Sequence, residues 1–187
     1  MQVWSFHGGA WHDGEEGEAD FRWFDVTGGE AGGLPALAER FRLHHLAVED
    51  CLSPLPHAPK IDDFGDYLFV VLHAVVESND GRETEELDVF LGKVFLITHQ
   101  DKPIVLSGPG GGQPAASALM AALQGGVGVR PGSDGLLYEL LDRIVDAILP
   151  RVNILAEELD AIHDDILVRA HAREQHRDIL ALRARAG

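Results

Sequence analysis

The spacing of apolar residues changes along the chain, and those changes mark its elements. VWSFH (3–7) and FRWFDV (21–26) are aromatic and β-branched and predict two strands, separated by the acidic stretch DGEEGEAD as a solvated turn. Gly28, Gly29, Gly32 and Gly33 break the chain, and LPALAERFRLHH (34–45) follows as a helix with Pro35 in its first turn. HHLAVEDCLS (44–53) again spaces its apolar residues as a short helix does, until Pro54, Pro56 and Pro59 forbid continuation. YLFVVLHAVV (67–76) has His73 as its only strongly polar member and predicts a buried, central strand. DVFLGKVFLITHQ (88–100) holds two apolar runs joined at Gly92-Lys93, with glycine in the first place of a two-residue hairpin loop. A short helix is expected over 114–124, with Pro114 near its start and Gly125 ending it.

The last third is helical throughout. Leu137, Leu141, Ile144, Ile148, Val152, Leu155, Leu159, Ile162 and Ile166 recur in steps of three and four, a stripe along one side of a long helix that is bent or restarted at Pro150. From Leu155 onward, AEELDAIHDD sets acids opposite the stripe, the pattern of an arm that meets another helix or subunit. AREQHRDILALRARAG (172–187) predicts a second helical segment. Its apolar residues Ile179, Leu180 and Leu182 start a face that nothing afterwards completes, so the sequence is expected to be cut from a longer protein.

Composition narrows the choice of partner. With 15 basic and 31 acidic side chains the net charge is −16, which opposes binding to nucleic acid or an anionic membrane and favours cations or basic surfaces. The single cysteine, Cys51, excludes an intrachain disulfide and fits a cytosolic setting. MQVWSFHGGAWHDGEEGEAD lacks the basic start and apolar run of a secretory signal. The stretch 103–129 carries no charge, but glycines and prolines interrupt it and its other residues are too weakly apolar to span a bilayer, so a soluble chain is expected.

Catalytic signatures are absent from the sequence. SGPGGGQP (107–114) imitates a phosphate cradle leading into a helix, yet lacks the lysine and hydroxyl of GxxxxGK[ST]. There is no Ser/His/Asp order, CxxC or HExxH, and Cys51 beside two acids is a poor nucleophile. The chain is expected not to be an enzyme, the rival class being a soluble enzyme or ligand-binding module. Glu49 and Asp50, adjacent on a short helix, read from composition alone as solvating or capping acids, with Asp50 toward the proline-rich turn.

Six ordered segments, WFDVTG, LAERFRLHHLAVEDCL, PKIDDFGDYLFVVLHAV, VFLGKVFLITHQ, LLYELLDRIVDAILPRV and DILALRARAG, resemble in order and spacing the amino-terminal cytoplasmic domain of CorA-type magnesium transporters, from about Trp23 onward. The resemblance implies an α/β fold: a mixed sheet sandwiched by helices over 1–133, then a long helix and the start of a second over 134–187, an arm toward stalk and membrane helices outside this chain. It also implies a pentameric parent on the cytoplasmic side of the cell membrane, whose Gly-Met-Asn pore motif lies beyond the residues given.

The same resemblance places regulatory Mg²⁺ between neighbouring subunits, at the positions of Glu49, Asp50, Asp142 and Asp146. A further acidic ligand comes from the neighbour's stalk. Mg²⁺ is hard and keeps several waters, so carboxylates on separate elements hold it through its hydration shell. Crowded acids repel, and a cation that relieves the repulsion favours the closed assembly. For Asp142 and Asp146, four apart on one helix face, ordinary helix solubility is the other reading.

Two positions depart from the family pattern: His45 stands where relatives usually have proline, and Ala58 where an arginine commonly precedes Pro-Lys. His45 and Glu49, four apart, have the spacing to hold a softer ion such as Zn²⁺, or His44 and His45 merely start a helix; His163 beside Asp164 is read with the same caution. The alternative function is therefore the same domain in a zinc transporter of the superfamily.

Overall fold

The computed structural model describes residues 1–28, 33–76, 83–106, 113–126, 128, 130 and 132–185, the side chains of 83, 151 and 168–185 aside. Residues 1–147 form one compact unit and 148–187 a second.

In the first unit, β1 (Gln2–His7) turns at Gly8-Gly9, both at positive φ (59° and 84°), into β2 (Ala10–Asp13). That pair of glycines is the signal of a tight hairpin, and β2 is a strand that the apolar pattern did not predict. β3 (Phe21–Thr27) pairs antiparallel with β1. Helix α1 (Leu34–Phe41) is shorter than the expected 34–45, because Arg42 adopts the left-handed conformation (φ 52°) and Leu43 N–H closes back on the Ala38 carbonyl at 2.9 Å, which turns Leu43 into the core. Helix α2 (His45–Leu52) follows. Then come β4 (Lys60–Asp63), also not predicted, β5 (Tyr67–Val76), β6 (Glu83–Gly92) and β7 (Phe95–Gln100).

The seven strands form one mixed sheet in the order β2-β1-β3-β7-β6-β5-β4, and β3–β7 is its one parallel pairing. The middle strand is β7, buried at every position; β5, expected there, lies one strand from the edge and is covered by short β4. Residues alternate between the two faces. Phe24, Phe69, Phe90 and Ile97 face α1 and α2, packing against Leu37 and Ala47. Asp25, Leu87 and Thr98 face the other way, toward Ala116, Leu140 and Ile144 of α3 (Ala115–Gln124) and α4 (Ser133–Arg185). The left-handed residue after α3 is Gly126 (φ 94°), not Gly125.

Helix α4 is continuous through Pro150 and includes the stretch expected as a second helical segment. As far as Ala147 it buries Leu136, Leu137, Leu140 and Ile144. In the second unit, Val152, Leu155, Leu159, Ile162 and Ile166 are all exposed. Among the described residues, no helix is long and apolar enough to cross a membrane.

Candidate functional site

Helix α2 presents the acid pair. His44 caps it: the ring Nδ1 accepts the Leu46 N–H at 3.3 Å, while the His44 N–H donates to the Tyr67 hydroxyl at 2.7 Å. His44 thus has the helix-starting role, and its ring stacks on that of His45. Ala47 and Cys51 point inward, so Glu49 is exposed and Asp50 half-buried at the flank. Asp50 is already engaged, as Oδ2 accepts from Lys60 Nζ at 2.7 Å and Oδ1 lies 3.5 Å from His57 Nε2. His57 and Lys60 come from and just after the proline-rich turn, the direction expected for Asp50. Hydrogen bonds to Asp50 and Asp62 hold the Lys60 ammonium above its ordinary pKa. His57 also meets Glu86 (Nδ1–Oε1 3.4 Å), and His73 Nε2 reaches the His57 carbonyl at 2.7 Å.

Asp142 and Asp146 are exposed on α4, away from its buried Leu140, Ile144 and Ala147. Because α2 and α4 cover opposite faces of the sheet, the two acid pairs do not come together within one chain. His45 and Glu49 are both exposed on α2, and His163 and Asp164 are exposed in the second unit. Of SGPGGGQP, residues 107–112 lie outside the described residues; Pro114 is the N-cap of α3.

A second group of ligating residues lies beneath α2. Asp88 on β6 is paired in register with His99 on β7, both pointing at the helix, with Oδ2 and Nδ1 3.2 Å apart. Cys51 completes a cluster whose three donor atoms lie within 4.8 Å of one another. All three residues are buried, yet Asp88 Oδ1 and His99 Nε2 have no hydrogen-bond partner among the described residues. Burial, and after it the charge and hydrogen bond of Asp88, push the Cys51 thiol far above its ordinary pKa, so the free thiol is not a nucleophile. A cavity of about 200 Å³ adjoins the cluster, lined also by Pro54, Glu86 and Asp101. Sequence reasoning did not single out Asp88 or His99; the mark they leave is a polar residue at the far end of each apolar run of the hairpin.

On the opposite face, Trp23 Nε1 donates to Thr98 Oγ1 (3.0 Å), which donates to buried Asp25 (2.6 Å), and Gln100 Nε2 donates to the same carboxylate (3.2 Å). This chain of bonds spans the β3–β7 seam and leaves Asp25 satisfied, as befits a structural acid.

Residues 18–187 match the family of the CorA-like Mg2+ transporter protein. This chain belongs to that family. It is 27% identical over 151 residues to the putative metal ion transporter YfjQ of Bacillus subtilis, covering 80% of this chain and 44% of YfjQ. With the cobalt/magnesium transport protein CorA of Thermotoga maritima it shares 25% identity over 150 residues, 79% of this chain and 40% of that protein. The chain thus spans less than half the length of these relatives. Its fold is similar to that of the complete CorA magnesium transporter from Methanocaldococcus jannaschii (TM-score 0.64, 16% identity, 89% of this chain and 51% of that one). It is equally similar to the cytoplasmic domain of ZntB from Vibrio parahaemolyticus (TM-score 0.65, 15% identity, 86% and 63%). The α/β sandwich expected from the sequence is therefore the fold of the CorA soluble domain.

Proposed function

We propose that this chain is the cytoplasmic, divalent-cation-sensing domain of a CorA-like Mg²⁺ transporter, and that Glu49, Asp50, Asp142 and Asp146 hold the ion between neighbouring copies. The observation that supports this reading is placement: exposed Glu49 and half-buried Asp50 on α2 and the exposed acids on α4 lie on opposite faces of the sheet. An ion held by both pairs therefore takes α2 from one copy and α4 from the next. The ion offsets the repulsion between copies, so the assembly closes when Mg²⁺ is plentiful and loosens when it is scarce. Glu49 and Asp142 are the ready ligands; Asp50 contributes while still bonded to Lys60, through Oδ1 or through a metal-bound water. The family is one of transporters, and no catalytic role is assigned to any residue.

Sedimentation velocity of the chain with and without millimolar Mg²⁺ tests this reading. The parent chain is expected to shift to larger species with the ion, and a Glu49→Gln/Asp142→Asn variant to lose the shift. Stabilisation is small, about 0.4 kcal/mol when Kd is near the ion concentration. Asp50 is left intact because its replacement would also break the Lys60 pair. A parent that ignores Mg²⁺, or a variant that responds as the parent does, returns these acids to ordinary helix surface. A parallel Zn²⁺ titration addresses the second reading, the same domain in a zinc transporter; likeness to the ZntB domain carries the fold alone.

A further inference from the structure

We infer that Cys51, Asp88 and His99 form a site for a borderline-soft divalent cation of the Zn²⁺ or Co²⁺ class, buried under α2 and separate from the exposed acid pairs. Three elements supply one donor each: helix α2, strand β6 and strand β7. Tetrahedral zinc with nitrogen, oxygen and sulfur ligands needs donor atoms roughly 3.3–3.7 Å apart. The three donor atoms already lie within 4.8 Å of one another, so closing the cluster takes rotamer adjustments rather than backbone movement.

Two further observations point to a ligand. Asp88 and His99 are 3% and 1% exposed, and each keeps one polar atom, Oδ1 and Nε2, without a partner among the described residues. Leaving a buried polar atom unpaired is costly, and the buried acid on the opposite face, Asp25, has its bonds made. The charges also balance in the metal-bound form: thiolate, carboxylate and neutral imidazole sum to −2, and a divalent cation brings the buried site to zero. Binding breaks the S–H bond and forms a metal–sulfur bond, with the proton leaving to water. The adjoining cavity, with Glu86 and Asp101 in its wall, gives cation and proton a carboxylate-lined way in and out and has room for a water as fourth ligand. The donor set selects the metal class, because thiolate and imidazole suit Zn²⁺ and Co²⁺, whereas Mg²⁺ takes oxygen ligands and dehydrates reluctantly.

Co²⁺ is the probe, since thiolate coordination gives a sulfur-to-cobalt charge-transfer absorption in the near ultraviolet. Titration of the whole chain, in excess Mg²⁺, is expected to develop that absorption to an end point of one Co²⁺ per chain, and Zn²⁺ is expected to erase it by displacement. Cys51→Ala keeps a small apolar group in the core and is expected to lose the absorption and to weaken Zn²⁺ binding at least about 100-fold, more than removal of an outer partner does. Circular dichroism establishes that the variant is folded. If it is not, the parent's own charge-transfer absorption decides, because Cys51 is its single thiol. A folded parent that binds Co²⁺ without the charge-transfer absorption overturns the inference, as does Zn²⁺ affinity unchanged in folded Cys51→Ala.

Discussion

Asp25 shows how a single residue can be fully bonded and still be pH-dependent. Burial raises its pKa, the Thr98 hydrogen bond opposing that rise in part. The sign follows from linkage: above the ordinary value of 3.8 the carboxyl of the unfolded chain ionises freely while the folded one holds its proton to higher pH. The folded state therefore binds more protons in that window, and Asp25's contribution to stability falls as pH rises from 3.8 to the folded value. Asp25→Asn removes the dependence. Its stability relative to the parent, from urea unfolding at a series of pH values, is expected to improve upward from 3.8; parallel curves would mean that burial does not penalise this carboxylate. The sequence offered little warning here, since an acid in FRWFDV is one polar letter in an apolar run. Cys51 was more legible: its acid neighbours already argued against a reactive thiol, and the structure adds burial and Asp88 as the larger causes.

At the scale of elements, the β6–β7 hairpin decides what the chemistry can be. With Gly92-Lys93 as the loop, Asp88 would face Ile97; the observed register pairs Leu91 with Leu96 and so places Asp88 opposite His99. The glycine is needed for room rather than for φ, which is not positive there, because a Cβ at Gly92 would run into the Phe95 ring. Gly92→Ala is accordingly expected to cost about 1–3 kcal/mol in urea unfolding. The cost should shrink on a Phe95→Leu background, and equal costs on both backgrounds would rule out the clash. Long, uniformly apolar runs were legible because both faces of their strands are covered. The short strands β2 and β4 were not, because AWHD and KIDD belong to the two edges of the sheet, where charged and polar residues keep other chains from pairing. Likewise the end of α1 turns on one left-handed residue, Arg42, a conformation its identity does not announce.

For the whole molecule, helical rhythm alone predicted the long final helix, while the sandwich came from the ordered resemblance of six segments, none informative by itself. The placement of the acid pairs on opposite faces was legible from neither, since it depends on which side of the sheet each helix covers. Beyond Ala147 the apolar stripe stays uncovered in the single chain, with Leu155, Leu159, Ile162 and Ile166 between 54% and 65% exposed. Such a surface favours association. Sedimentation equilibrium at high concentration is expected to show dimers or larger species, and Leu159→Lys with Ile162→Lys to return the chain toward monomer. A parent that stays strictly monomeric would contradict the stripe as an association surface.

The parallel seam between β3 and β7 has a consequence in time. It joins residues 73 and 75 positions apart, such as Asp25 with Thr98 and Trp23 with Thr98, whereas the hairpins close over a few residues. Closing so long a loop costs chain entropy before any contact offsets it, so the two antiparallel halves of the sheet have local routes to formation and the seam does not. During synthesis at about 5–20 residues per second, β3 waits roughly 4–15 s for β7 to be made. Trp23 and Phe24, fully buried in the finished protein, spend that interval without the strand that covers them, which makes the newborn amino-terminal half a substrate for chaperones before it is a domain.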